Sequence, residues 1–205
     1  MKKKSFHDSF FWAIGLLIIV SSLAIITSCS QKSSAPQNKG GSKQSLTLPV
    51  ERTDGFIDHD PNTAMHIGSM NQRAFTFTLY CPTSTDIHLR RIKFSLASST
   101  LSLFQISSMK LVDDAGTVVS LTNNPSTNTL MEMDYVLAAG TSKNFSLVLD
   151  IDPHAQERTF RANIYAVIAS AVSTGETAIA VHRSDNRPVM SNDPVWSAAV
   201  DVVRP

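Results

Sequence analysis

The sequence predicts an all-β domain, an antiparallel sandwich, on three observations. Apolar and polar residues alternate with period two from Leu46 onward, as they do along strands that bury one face. Ser, Thr, Val and Ile are frequent, and the Ala-Glu-Lys-Leu blocks that favour helices are few. Turn signals at Asp114-Ala115-Gly116, Gly140 and Ser173-Thr174-Gly175 cut the chain into short runs.

Taken in order, Phe75, Phe77 and Leu79 point one way and Thr76 and Thr78 the other. In the next run Ile87 and Leu89 share one phase, while Ile92, Phe94 and Leu96 take the opposite one. The jump at Arg90-Arg91 needs one extra residue, which predicts a β-bulge there. The Arg pair reads as a solvated face, with anion binding as the functional alternative. Met109 and Leu111 align with Leu121 and Val119 if Asp114-Ala115-Gly116 is a three-residue loop closed by a positive φ at Gly116. Folding about Gly140 sets Leu137 opposite Lys143, Tyr135 opposite Phe145, Met133 opposite Leu147 and Met131 opposite Leu149. That agreement of apolar with apolar predicts a second hairpin. Arg158 to Val172 reads as one long strand, with Phe160, Ala162, Ile164, Ala166 and Ile168 on one face and Tyr165 and Val167 on the other. A short strand follows at Ala178 to Val181, then a polar loop from Arg183 to Pro188. Val195-Trp196 and Val200 to Val203 end the chain, and Pro194 confines that part to an edge or a strand start.

Before the domain, Lys2, Lys3 and Lys4 precede an apolar run from Phe10 to Ile26, and Ile26-Thr27-Ser28-Cys29 closes it. A polar run, Ser30 to Gln44, begins at once. The four residues ending in Cys29 resemble the bacterial lipobox, which implies cleavage before Cys29 and lipid on its sulfur. The expected organisation is a signal peptide over 1–28, the lipidated Cys29 and a flexible tether over 29–50, and the β domain over 51–205. An uncleaved signal anchor and an ordinary cleaved signal peptide are the alternatives, and both also export the domain. Ser30 after the Cys implies the outer membrane in a cell with two membranes and the outward face of the cell membrane in a cell with one.

Composition narrows the partners. Lys plus Arg number 18 and Asp plus Glu 17, so there is no basic surplus to hold nucleic acid and no acidic surplus to keep the chain unfolded. Cysteines number two. With Cys29 carrying lipid, Cys81 lacks an intrachain partner and is expected as a small buried hydrophobe, with pairing between molecules as the alternative.

Four stretches recur in order: Leu89-Arg90-Arg91-Ile92-Lys93-Phe94; Ile106-Ser107-Ser108-Met109-Lys110-Leu111-Val112-Asp113 with Gly116-Thr117-Val118-Val119; Gly140 to Leu147; and Pro194-Val195-Trp196-Ser197. They resemble immunoglobulin-like β-sandwich modules found in secreted and surface proteins of small-genome, mostly uncultured bacteria. The resemblance covers about residues 70 to 200. In those modules an acidic residue usually follows the Trp-Ser pair, where Ala198 stands here. It implies surface structure or adhesion and supplies no catalytic residue.

The residues that could carry chemistry are few. No Ser-His-Asp elbow, HExxH, CxxC or phosphate-cradling Gly loop is present, so no catalytic residue and no cofactor are expected. Glu132 and Asp134 share one strand face, and so do Asp150 and Asp152 on what the hairpin register makes the neighbouring strand. They are expected to face solvent, with acid/base work or a shared Ca²⁺ as the alternative. Asp54-Gly55-Phe56-Ile57-Asp58-His59-Asp60 is the densest acidic loop, and Asp54, Asp58 and Asp60 are its weak candidates for metal ligands. An EF-hand counted from Asp58 needs Gly and Glu where Thr63 and Ser69 stand. His59, His66 and Cys81 lack a zinc-like spacing. Trp196 is expected in the core, with a ligand platform as the alternative.

The expected function is that of a non-enzymatic surface lipoprotein acting as a structural or adhesive module. A lipoprotein that binds glycan or peptide comes second and a surface hydrolase third. Its partners would be the membrane, through Cys29, and a cell-envelope or extracellular protein or glycan. Mass spectrometry of the membrane-extracted protein tests the first step: the mature chain should begin at a lipid-modified Cys29. An unmodified Cys29 or an intact Met1 would contradict the lipoprotein reading.

Overall fold

The computed structural model describes residues 45–97 and 105–205, so the predicted signal peptide, Cys29 and the stretch to Gln44 lie outside the described residues. The described strands are β1 (Thr47–Arg52), β2 (Met65–His66), β3 (Gln72–Tyr80), β4 (Ile87–Ala97), β5 (Ile106–Asp113) and β6 (Val118–Asn123), followed by β7 (Asn128–Leu137), β8 (Ser142–Ile151), β9 (Arg158–Ala171), β10 (Thr177–His182), β11 (Val195–Trp196) and β12 (Val200–Val203). The domain is all-β. Hydrogen bonds run along β2-β12-β9-β10-β1-β3-β8-β5-β6, with β4 and β11 added to β9 and β7 added to β4.

That path doubles back into two facing layers. One holds β1, β3, β8, β5 and β6, and the other β7, β4, β9, β12 and β2. β10 passes between them: Thr177 and Ala178 pair with Ser170 and Ala169 of β9, and Ile179 to His182 pair with Thr47 to Val50 of β1. Phe75, Phe77, Phe145, Leu147 and Leu149 of the first layer and Ile92, Phe94, Met131, Phe160 and Ile164 of the second are fully buried. Phe77 meets Phe94 edge-on at 6.1 Å across the core, and Tyr135 meets Phe145 at 5.3 Å. Burial of these rings dominates the core's stabilisation.

Several expectations hold. The register of β4 shifts between Leu89 and Arg91 against both β7 and β9, which is the bulge that the phase jump requires. Gly116 has φ 81°, closing the β5–β6 loop as expected. β9 is one long strand, and Cys81 is a buried free thiol.

Other expectations are corrected. The sheet is mixed, because β1 runs parallel to β10 and β2 parallel to β12. Each parallel pair joins strands far apart in sequence, so no tight turn forces the antiparallel direction. The first strand begins at Thr47, inside the span assigned to the tether, because Leu48 and Val50 are buried. Within β9, Tyr165 is an extra residue between the pairs Phe94↔Ile164 and Lys93↔Ala166, so Ile168 turns outward and Val167 inward. In the β5–β6 hairpin, Met109 faces Thr122 and Leu111 faces Ser120, one residue away from the expected register. An extra residue at Val119 causes the slip and leaves Leu121 exposed.

The largest correction concerns Gly140. β7 pairs with β4, and β8 lies between β3 and β5, so β7 and β8 form no ladder. They face each other across the core, joined by an arch. Gly140 N donates to Pro82 O at 3.0 Å, Thr141 N to Ala138 O at 3.1 Å and Ala139 N to Asp86 at 2.8 Å. The expected inward set nonetheless faces the core: Met131, Met133, Leu137, Phe145, Leu147 and Leu149 are buried, and Tyr135 is half-buried against them. Leu147→Ala should therefore cost about 2–5 kcal/mol in urea unfolding. A loss below about 0.5 kcal/mol, typical of surface substitutions, would contradict its placement.

Candidate functional site

The acidic loop does not converge on a point. The Asp54 carboxylate accepts from Arg52 Nε at 2.7 Å, Phe56 N at 3.0 Å and Thr76 N at 3.2 Å. Asp58 accepts from Ala199 N at 2.9 Å and pairs with Arg161. The Ala199 N–H holds its carboxyl below the ordinary value, and Arg161 adds to the effect. Asp60 caps the 3-10 turn Pro61–Thr63 by accepting from Asn62 N. His59 Nδ1 lies 3.1 Å from both oxygens of Asp201 on β12. Each carboxylate thus fastens the loop to a different piece of backbone. Among the described residues, no group of three or more His, Cys, Asp or Glu is placed to hold a metal ion.

The strand acids part company because β7 and β8 belong to different layers. Glu132 pairs with Arg91 at 3.1 Å and Asp134 with His88 at 2.6 Å, both on the solvent face as expected. Arg90, Ile168 and these four residues line an open hollow of about 480 Å³. In water-exposed pairs of this kind, attraction and side-chain entropy nearly cancel. Asp150 instead lies buried in the other layer, held by Asn71 N at 2.7 Å, Lys110 Nζ at 2.8 Å and the Ser108 hydroxyl. Asp152 turns to His154 N.

Trp196 is not in the core: it is 42% exposed. β11 has two residues, and Val195 takes the inward position, so the next side chain must point outward. Trp196 lines a groove of about 210 Å³ with Glu51, Arg52, His182, Arg183 and Pro194. The Arg183 guanidinium stacks 3.6 Å from the Tyr80 ring centroid, and the Tyr80 hydroxyl donates to Glu51 at 2.9 Å. Cys81 Sγ lies 3.4 Å from the carbonyls of Thr85 and Leu137, and burial pushes its thiol up, away from reactivity.

One polar residue of β9 escaped the sequence reading, Asn163, and Tyr165 was placed on a strand face without a role. Asn163 is 5% exposed and its Oδ1 has no hydrogen-bond partner among the described residues. The available signal was an amide set between the inward-facing Ala162 and Ile164.

No family model matches the chain, and no curated protein matches it. Over 78% of its length the chain is similar to 28% of a family 123 glycoside hydrolase from Clostridium perfringens, with TM-score 0.33 and 9% identity. Over 79% of its length it is similar to 96% of BslA, a bacterial hydrophobin, with TM-score 0.25 and 14% identity. Overlaps this loose carry no argument about activity.

The Asp150 cluster generates a pH prediction. Burial pushes its carboxyl up, but Lys110, Ser108 and the Asn71 N–H together outweigh burial and hold it below the ordinary value. A depressed folded-state pKa stabilises the fold above the unfolded value of about 3.9. That stabilisation is lost as pH falls through the folded value. Asp150→Asn should cost about 1–3 kcal/mol at neutral pH in urea unfolding, with the gap to the parent closing below about pH 4. A gap that is absent, or constant with pH, would contradict the assignment.

Proposed function

We propose that the protein is a lipid-anchored surface module of the immunoglobulin-like kind, non-enzymatic, that meets an extracellular partner along its open sheet edge. The observation that carries this reading is β6. Among the described residues it pairs only with β5, and it contains no charged residue and no proline. Val118 and Leu121 are 52% and 54% exposed. β7, the edge of the facing layer, lies alongside, with Ser120 Oγ donating to Glu132 O at 2.6 Å and Leu130 and Val136 exposed. Sheet edges are ordinarily guarded by charge, proline or a bulge, and the bulge at Val119 is the guard seen on this one. An uncharged edge with apolar side chains suits an added strand from a partner.

The anchor supports the same reading. Acyl chains on Cys29, at about 0.8 kcal/mol for each buried methylene, hold the module at the membrane. The ion pairs of the outer face then act as a solvated coat, not as acid/base machinery.

Cells producing the full chain test this. The protein should be membrane-bound and protease-accessible from outside, and should promote cell attachment. Cys29→Ala should lose both anchoring and attachment, whereas Leu121→Lys should lose attachment alone. Equal attachment by all three would contradict the reading. So would hydrolysis of a glycan or peptide panel that disappears when Glu132→Gln and Asp134→Asn are combined.

A further inference from the structure

We propose that a hollow on the outer face of the β7-β4-β9 layer binds one ring of a neutral glycan, with Asn163 as its central hydrogen-bonding residue. The register places the site. Asn128 of β7 is directly opposite Ser95 of β4, Ser95 is opposite Asn163 of β9, and Asn163 is opposite Trp196 of β11. Directly opposed residues project from the same face, so an amide, a hydroxyl, a second amide and an exposed indole form one cross-strand row. Ser95, Asn128, Asn163, Tyr165 and Ser191 line a solvent-open hollow of about 260 Å³. The turn carrying Ser191 is closed by paired backbone bonds between Met190 and Asp193, and Arg187 Nη1 binds the Asp193 carboxylate at 2.6 Å.

Asn163 is the anomaly that points to a ligand. It faces outward yet is 5% exposed, and its Oδ1 is buried without a partner among the described residues. Buried polar atoms are almost always satisfied, so an unpartnered amide oxygen in a residue that lines a polar hollow marks a place where something else supplies the bond once the amide turns toward the hollow. A sugar hydroxyl both donates and accepts, and so satisfies the amide whichever way its oxygen and nitrogen are oriented.

The lining selects among ligand classes. None of the five side chains is charged, so the lining favours a neutral ring over a phosphate, a nucleotide or an acidic sugar. An apolar ligand would leave Asn163 unsatisfied. An extended peptide needs a free ladder, whereas β4 and β9, which carry Ser95, Asn163 and Tyr165, are paired on both sides at this point, and the free edge of β7 lies beyond Asn128. The volume is a little below the roughly 300–1,000 Å³ of drug-sized sites, which suits a single sugar ring. The Tyr165 ring adds aromatic surface of the kind that packs on the C–H face of a sugar, and Trp196, next in the row though it lines the separate groove with Glu51 and Arg183, reports on the site. The proposal deepens the surface reading, on which only the extracellular origin of the glycan rests.

The test uses the full chain with Trp12→Phe, in a detergent without a sugar headgroup, so that Trp196 is its sole tryptophan. Glucose, galactose, mannose and N-acetylglucosamine are titrated while Trp196 emission and saturation-transfer NMR are followed, with glucuronic acid as the charged control. At least one neutral sugar should bind with a Kd of about 1 mM, and glucuronic acid should bind far more weakly. Asn163→Ala should weaken binding by about tenfold or more without lowering the melting temperature of the free protein. Should that variant fold poorly, Tyr165→Ala and Ser95→Ala each carry the same test. No binding by any neutral sugar, equal binding of glucuronic acid, or unchanged binding in the variants would overturn the proposal. A crystal soaked with the sugar and showing only ordered water in the hollow would do so as well. Leu121→Lys should leave sugar binding intact, which separates failure of the edge reading from failure of this one.

Discussion

The contacts of Phe77 with Phe94 and of Tyr135 with Phe145, made across the core between two layers, set the arrangement of everything else. Aromatic pairs of this kind contribute about 0.5–1.5 kcal/mol beyond their area. Their larger effect is on topology. With Tyr135 packed on the face of β8 and not beside it, β7 must leave the first layer, and the chain must arch at Gly140. β8 is then free to take β3 and β5 as neighbours, and β7 to take β4. The layers end in β6 and β7 on the same side, where Ser120 joins them and the open edges stand together.

The same arrangement sorts the polar chemistry. Placing β7 and β8 in different layers separates Glu132 and Asp134 from Asp150 and Asp152, so the four carboxylates that could have formed one acidic site serve three separate local roles. The loop acids Asp54, Asp58 and Asp60 are spent on backbone N–H groups and guanidiniums. Along one cross-strand row of the second layer's outer face the side chains are neutral: two amides and a hydroxyl, ending at an indole.

The sequence made much of this legible where the period of two speaks directly. The reversal of phase at Arg90-Arg91 demanded a bulge and is one. Phe75, Phe77, Leu79, Phe145 and Leu147 fell on inward faces because alternation reports burial. Alternation does not report what lies beyond a face. Two strands that share inward residues satisfy the same pattern side by side or face to face, so the Gly140 arch was read as a hairpin. The extra residues at Val119 and Tyr165 lie where both phases carry apolar side chains, so neither slip left a mark. Trp196 was assigned to the core by its size, but a two-residue strand has one inward position and Val195 holds it. Asn163 carries no mark in the sequence because its significance depends on Ser95, Asn128 and Trp196, brought into one row with it from three other strands. The parallel pairs were hidden for the same reason, since nothing local relates Thr47 to Ile179 or Met65 to Val202.

The face-to-face relation of β7 and β8 is the claim on which both open edges and the neutral row depend. Cross-strand backbone nuclear Overhauser contacts on the isotope-labelled protein test it most directly. The account predicts contacts between Leu89 and Tyr135 and between Phe77 and Phe145, the register partners of β4–β7 and β3–β8. Backbone contacts between Tyr135 and Phe145 or between Met133 and Leu147 would place β7 beside β8 in one sheet and contradict it.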